Sequence, residues 1–171
     1  MRKLLWLGLV AILVMPLSLL AQDYPKAEIF GGYSFQHVEG GTNLNGWNAS
    51  LAGNLNNWLG VVADFGGYYG DFNDHTFMFG PQISYRGDER FTPFFHALFG
   101  GAHDSGGLLE AKGSTAFAMA IGGGIDYNAS KNFAVRIIQV DYLMTRFNIP
   151  GGSHPNTQNN ARVSVGIVGR F

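Results

Sequence analysis

Eight charged side chains recur in stretches that otherwise alternate between apolar and small or polar residues: Glu28, Asp64, Asp126 and Asp141, with Arg86, Arg136, Arg162 and Arg170. Four acids face four bases. An isolated charge among packed side chains is costly, so a balanced set placed in an interior should pair up. Such a set could be a structural ion-pair network or could line a narrow, gated polar path. The histidines suggest a second chemistry, because His37, His75, His103 and His154 fall in segments read as loops, with Asp71, Asp74 and Asp104 close by. Imidazole and carboxylate are good ligands for Zn or Cu. Their spacing contains no local metal motif, so they read as solvated and no metal residue is assigned. A third pattern, His103-Asp104-Ser105 with Glu110 as an orienting acid, would suit a nucleophilic hydroxyl and its base. Spacing alone does not set nucleophile–base geometry, and these residues lie in a Gly-rich stretch, so no catalytic residue is assigned.

The elements that must position the charges have a period of two, which is the signature of strands with two different faces. The C-terminal stretch is the clearest case: Ala161, Val163, Val165, Ile167, Gly169 and Phe171 share one face. Eight such segments are separated by turn residues: 26–36, 46–55, 58–69, 76–86, 92–102, 115–127, 133–144 and 161–171. In the fourth, Phe77, Phe79, Pro81, Ile83 and Tyr85 oppose Thr76, Met78, Gly80, Gln82, Ser84 and Arg86. Pro81 lacks a ladder donor and should sit at a bulge or where pairing is broken. In the fifth, His96 falls on the inner face. The sixth turns Ala116, Ala118, Ala120, Gly122, Gly124 and Asp126 inward, which requires large residues opposite, and Trp58, Tyr68, Met78 and Phe94 are the candidates. In the seventh, Arg136 and Asp141 have opposite parity. A bulge near Ile138-Gln139 would bring both inside and leave Tyr142 outside.

The N-terminal segment supplies an independent reading. Arg2 and Lys3 precede an apolar run from Leu4 to Leu20, interrupted by Ser18 and Pro16, and Ala21 is a small residue suited to cleavage. Residues 1–21 are therefore expected to be a signal peptide and 22–171 the mature domain, the alternative being an uncleaved anchor. Removing Arg2 and Lys3 leaves nine Lys and Arg against twelve Asp and Glu, a net charge of −3. That balance argues against nucleic acid as a partner. The chain has no cysteine, which excludes disulfides and lipid attachment through an N-terminal Cys. Beyond Ala21 no segment is apolar for long enough to be a membrane helix, so any spanning must be done by strands.

An even strand number with both ends on one side requires connections that alternate between short inner turns and longer outer loops. The turns at 56–57, 87–91 and 128–132 are short. The other four connections include Gly40-Gly41, 70–75, 103–114 and 148–160. Aromatics collect near strand ends: Tyr33, Trp47, Tyr69, Phe77 and Phe117 at one rim, and Tyr85, Tyr127, Phe133 and Phe171 at the other. Such belts suit two lipid headgroup layers. Asn48-Ala-Ser50 and Asn128-Ala-Ser130 match a glycosylation pattern without a fitting context, and the Gly pairs fit no nucleotide-binding fingerprint.

The fold class expected is an all-β, eight-stranded antiparallel up-and-down transmembrane β-barrel. The N-terminal segment, the run from Phe77 to Tyr85, Pro93-Phe-Phe-His96 and the stretch 163–171 give the chain a resemblance to the small outer-membrane β-barrel domain proteins of the OmpA and OmpX type. The resemblance implies a monomer in outer-membrane lipid, with no cofactor, whose Val163, Val165, Ile167 and Phe171 act as the recognition signal for the barrel-assembly machinery. A structural or surface-interaction role through extracellular loops is expected and, unlike in OmpA itself, no second domain for peptidoglycan attachment is expected. The alternative from within the same group is a lipid A deacylase-like enzyme, which His103, Ser105 and Glu110 superficially resemble. A narrow gated pore is the other. Eight strands leave a lumen only wide enough to be filled by side chains, which favours the structural reading of the charges.

Overall fold

The computed structural model describes residues 24–70, 73–104, 114–147 and 156–171. Eight strands follow one another: β1 (Ala27–His37), β2 (Asn43–Asn54), β3 (Leu59–Tyr69), β4 (Asn73–Ser84), β5 (Phe91–Asp104), β6 (Ser114–Asn128), β7 (Phe133–Phe147) and β8 (Asn156–Arg170). Each pairs antiparallel with its sequence neighbour, and β8 returns to β1, so the sheet is a closed barrel. Closure leaves no strand edge, which is what a sheet surrounded by hydrocarbon requires.

The period of two becomes two surfaces. Along β4 every second residue is buried: Thr76, Met78, Gln82 and Ser84 point into the lumen. Between them Phe77, Phe79 and Ile83 lie on the outside, each more than half exposed. The same holds for Ile29, Leu51, Phe95 and Ile167. An apolar collar of this extent is untenable in water and matches the lipid-facing band of a transmembrane barrel. The rim aromatics Tyr33, Trp47, Tyr69, Tyr85 and Phe171 all face outward as well.

The bulge in β7 falls at Ile137-Ile138. Ile125 pairs with Ile138 but Asp126 pairs with Arg136, so one residue is extra. Both isoleucines face lipid, while Arg136, Gln139 and Asp141 are buried and Tyr142 is exposed. The register also slips between Arg136 and Gln139 against β8. Pro81 produces no bulge. It pairs with Val61, and on its other side the β4–β5 ladder lapses between Phe79↔Phe99 and Gln82↔His96 without any change of register.

Three expectations need correction. Trp58 is not a lumen residue, because the Asn56 side chain accepts the N–H groups of Trp58 (2.9 Å) and Leu59 (2.8 Å) and closes a turn that leaves Trp58 54% exposed. Leu98 and Leu143, both fully buried, join Tyr68, Met78 and Phe94 in filling the lumen. The outer connections are not uniformly long. β1 and β2 are joined through residues 38–42, where Val38 N–H donates to Thr42 O (2.9 Å) and Gly40 and Gly41 take φ of 108° and 94°. Between β3 and β4 only residues 70–72 remain. As a result His37, His75 and His103 lie in strands and not in loops. His154, Asp71, Ser105 and Glu110 fall outside the described residues, as does the side chain of Asp104.

The inner turn after β4 is organised by Asp88, whose carboxylate accepts the N–H groups of Phe91 (2.8 Å) and Arg90 (2.7 Å). The Phe91 and then the Arg90 bond hold its carboxyl below the usual carboxylate range. A lowered folded value means that this contribution is complete above the ordinary pKa and is lost as pH falls through the folded one. Amide chemical shifts of Arg90 and Phe91 should therefore move in acid. In Asp88→Ala they should start displaced and stay flat; an acid transition unchanged in the variant would assign it to another group.

Candidate functional site

The lumen charges are positioned by parity. Arg162 and Arg170 share the inner face of β8 with Ser164 and Val168, Glu28 lies on that of β1, Asp64 on β3, Asp126 on β6, and Arg136 and Asp141 on β7 once the bulge is counted. Arg86 follows the end of β4. All but Arg86 are buried as whole residues, and even the Arg86 side chain is only 9% exposed.

Arg162 is the hub. Fully buried, it donates Nε to Asp141 Oδ2 (2.7 Å), its direct partner on β7, and reaches across the lumen with Nη1 to Asp64 Oδ1 (2.8 Å) on β3. Asp141 is also held by His96 Nε2 (2.8 Å) and Gln139 Nε2 (2.7 Å), and Asp64 by Asn48 Nδ2 (2.9 Å). Towards the outer end Tyr68 lies 3.4 Å from Arg162 and packs with Leu44 and Val38.

A second group occupies the inner end. Arg136 donates Nε to Asp126 (2.8 Å), and its guanidinium lies between the rings of Phe30 (4.3 Å) and Phe94 (4.2 Å), a doubly stacked cation. Arg170 approaches Asp126 (3.3 Å) and Glu28 (3.5 Å), its cross-strand partner at the β8–β1 seam. Arg86 meets Glu28 from the far wall at 2.5 Å, and Asn54 donates to the same carboxylate at 2.9 Å. Arg136 Nη1 to Gln139 Oε1 (2.7 Å) joins the two groups. A chain of charge-assisted hydrogen bonds, bridged at Glu28–Arg170 by an ion pair, thus crosses the lumen from Arg86 to Asp64. Bonds of this kind are stronger than neutral ones.

Set beside solved structures, this architecture has clear counterparts. The N-terminal β-barrel domain of Pseudomonas aeruginosa OprF superposes with a TM-score of 0.62 at 10% identity, over 87% of this chain and 100% of that one. Neisserial surface protein A gives 0.59 at 15% identity, over 85% and 96%. Ail, the attachment invasion locus protein of Yersinia pestis, gives 0.54 at 19% identity, over 86% and 99%. The fold is that of the small eight-stranded outer-membrane β-barrels. No protein-family model and no curated protein matches the sequence.

Within such a barrel the eight charges come together as one network, with each acid touching at least one arginine. Gln139 and Asn48, which carry the connection and the second side-chain bond to Asp64, were not assigned to the charge network from the sequence. Gln139 could have been found from its parity with Asp141 beyond the bulge. His75 and His103, by contrast, sit side by side on the outer surface as cross-strand partners. Among the described residues no three ligating side chains converge. Val165, Ile167 and Phe171 face outward, and Val163 is partly exposed on the same face. The main chain of Phe171 extends the seam, its carbonyl accepting from Lys26 (2.6 Å) and its N–H donating to Ala27 (2.9 Å).

Proposed function

We propose that this protein resides in the outer membrane of a Gram-negative cell as a monomeric, non-conducting and non-enzymatic barrel, a rigid frame that presents its outer end for surface interaction. The supporting observation is the position of Arg162, which spans the lumen from β8 to Asp64 on β3 and is fully buried while doing so. A water-filled path would leave that guanidinium solvated. In this reading residues 1–21 direct export, and the outward row Val163, Val165, Ile167 and Phe171 is presented to the barrel-assembly machinery. The attachment role named for Ail is compatible with surface interaction through the outer end.

Planar-bilayer recording on the refolded barrel is the direct test. The expected trace is a closed baseline with no stable step, because eight strands enclose only enough space for side chains. A stable channel in the nanosiemens range would replace the structural reading of the charges with the gated path.

A further inference from the structure

The outer surface carries one feature that a plain lipid-facing wall does not need. Trp47, Gly67, His75 and His103 are consecutive cross-strand partners on β2 to β5, so they form one row along the hydrogen-bonding direction. Trp47 and Tyr69, joined by an indole N–H to hydroxyl bond (3.4 Å), belong to the aromatic rim suited to the headgroup layer, and His75 lies edge-on to Tyr69 (ring centroids 5.8 Å). Both imidazoles are exposed outward there. The next row inward along the strands is Phe65, Phe77 and Gly101, again direct partners. With no side chain at Gly101, and with the Trp47 indole folded over Gly67, a cleft of about 420 Å³ opens between the two rows. Its lining is almost wholly apolar, with Phe65 and Phe77 on one side, and the exposed His75 and His103 stand at its rim.

We propose that this cleft seats one phosphate-bearing lipid of the surrounding leaflet, with its phosphate against His75 and His103 and one acyl chain in the trough beside Phe77. The location selects the occupant. A cleft in the lipid-facing belt is continuous with hydrocarbon, and the histidines at its rim, beside Tyr69, lie towards the layer of lipid phosphates. Imidazole N–H groups are donors suited to phosphate oxygens in either protonation state, and a bond to an ionised acceptor is stronger than one to a neutral acceptor. The inference rests on the membrane-spanning reading, so the test must report insertion separately.

The barrel is reconstituted in phosphatidylcholine vesicles with and without phosphatidic acid, extracted gently, and examined by native mass spectrometry for retained lipid. Circular dichroism and protease resistance in the same vesicles report insertion, and failure there would count against the membrane reading itself. One retained phosphatidic acid is expected on the wild type. His75→Gln with His103→Gln should weaken retention about tenfold, the loss of a hydrogen bond to a charged group. Gly101→Leu should weaken it by filling the trough while leaving both imidazoles. Retention unchanged by either variant, or equal retention of phosphatidylcholine, would overturn the proposal. So would Zn bound by the histidine pair with lipid retention unaffected by the double substitution.

Discussion

Arg162→Met should destabilise the barrel by roughly 3–5 kcal/mol, the cost of leaving a buried charge without its partner. The size follows from what remains behind. Methionine fills much of the arginine's volume, so packing loss is small, but Asp64 and Asp141 stay buried at about 1% exposure and lose the guanidinium they share. Asn48 and His96 would still donate to them, which lowers the loss without removing it. Equilibrium urea unfolding in lipid vesicles is the measurement. Adding Asp64→Asn and Asp141→Asn to Arg162→Met should restore part of the stability, since a neutral lumen carries no unpaired charge. A single variant within about 0.5 kcal/mol of the wild type would show that water reaches these carboxylates, and the closed-lumen reading would fail with it.

The reason this residue can be named from the sequence at all is that strand parity is a strong signal wherever one face is apolar. Arg162 sits between Ala161 and Val163, and Asp64 between Ala63 and Phe65, so each is assigned inward without knowledge of its partner. Cross-lumen contacts are a different matter. Nothing in the spacing links β8 to β3, and the Arg162–Asp64 pair depends on barrel diameter and on which inward residues are small. The bulge shows the same limit more finely. Opposite parity of Arg136 and Asp141 demands an extra residue between them, but isoleucine at both 137 and 138 suits lipid equally, so its site is fixed only by the ladders on either side.

The strand ends were legible only as far as the apolar band extends. β8 begins at Asn156 and not at Ala161, and β2 at Asn43 and not at Gly46. Those added residues are mostly Asn, Thr and Gln on both faces, so period two carries no contrast there. Backbone pairing continues regardless, because ladder hydrogen bonds do not depend on which side chain faces out. Trp58 failed for the opposite reason. Its parity matched the inner face, but the Asn56 turn claimed its N–H before the strand began.

Steric crowding makes Gly122 a glycine whose replacement reaches the ion-pair network. It faces Asp141 directly across the β6–β7 ladder. A Cβ placed there would lie 2.2 Å from both the Asp141 carboxylate oxygen and the Val140 carbonyl, and 2.6 Å from the Asp141 Cα. Two of those three atoms are backbone, so the clash cannot be relieved by a rotamer change. Gly122→Leu must then separate β6 from β7 or push Asp141 away from Arg162 and His96. Overpacking costs about 1–3 kcal/mol, and disrupting the buried ion pair adds to it, so a loss of several kcal/mol in urea unfolding is expected. Gly31 provides the control, because an added Cβ there meets nothing within 4 Å and Gly31→Ala should change stability by less than about 0.5 kcal/mol. If the Gly122 effect runs through Asp141, combining Gly122→Leu with Arg162→Met should cost clearly less than the two losses added together. Full additivity would place the damage in the ladder alone and leave the ion pair intact.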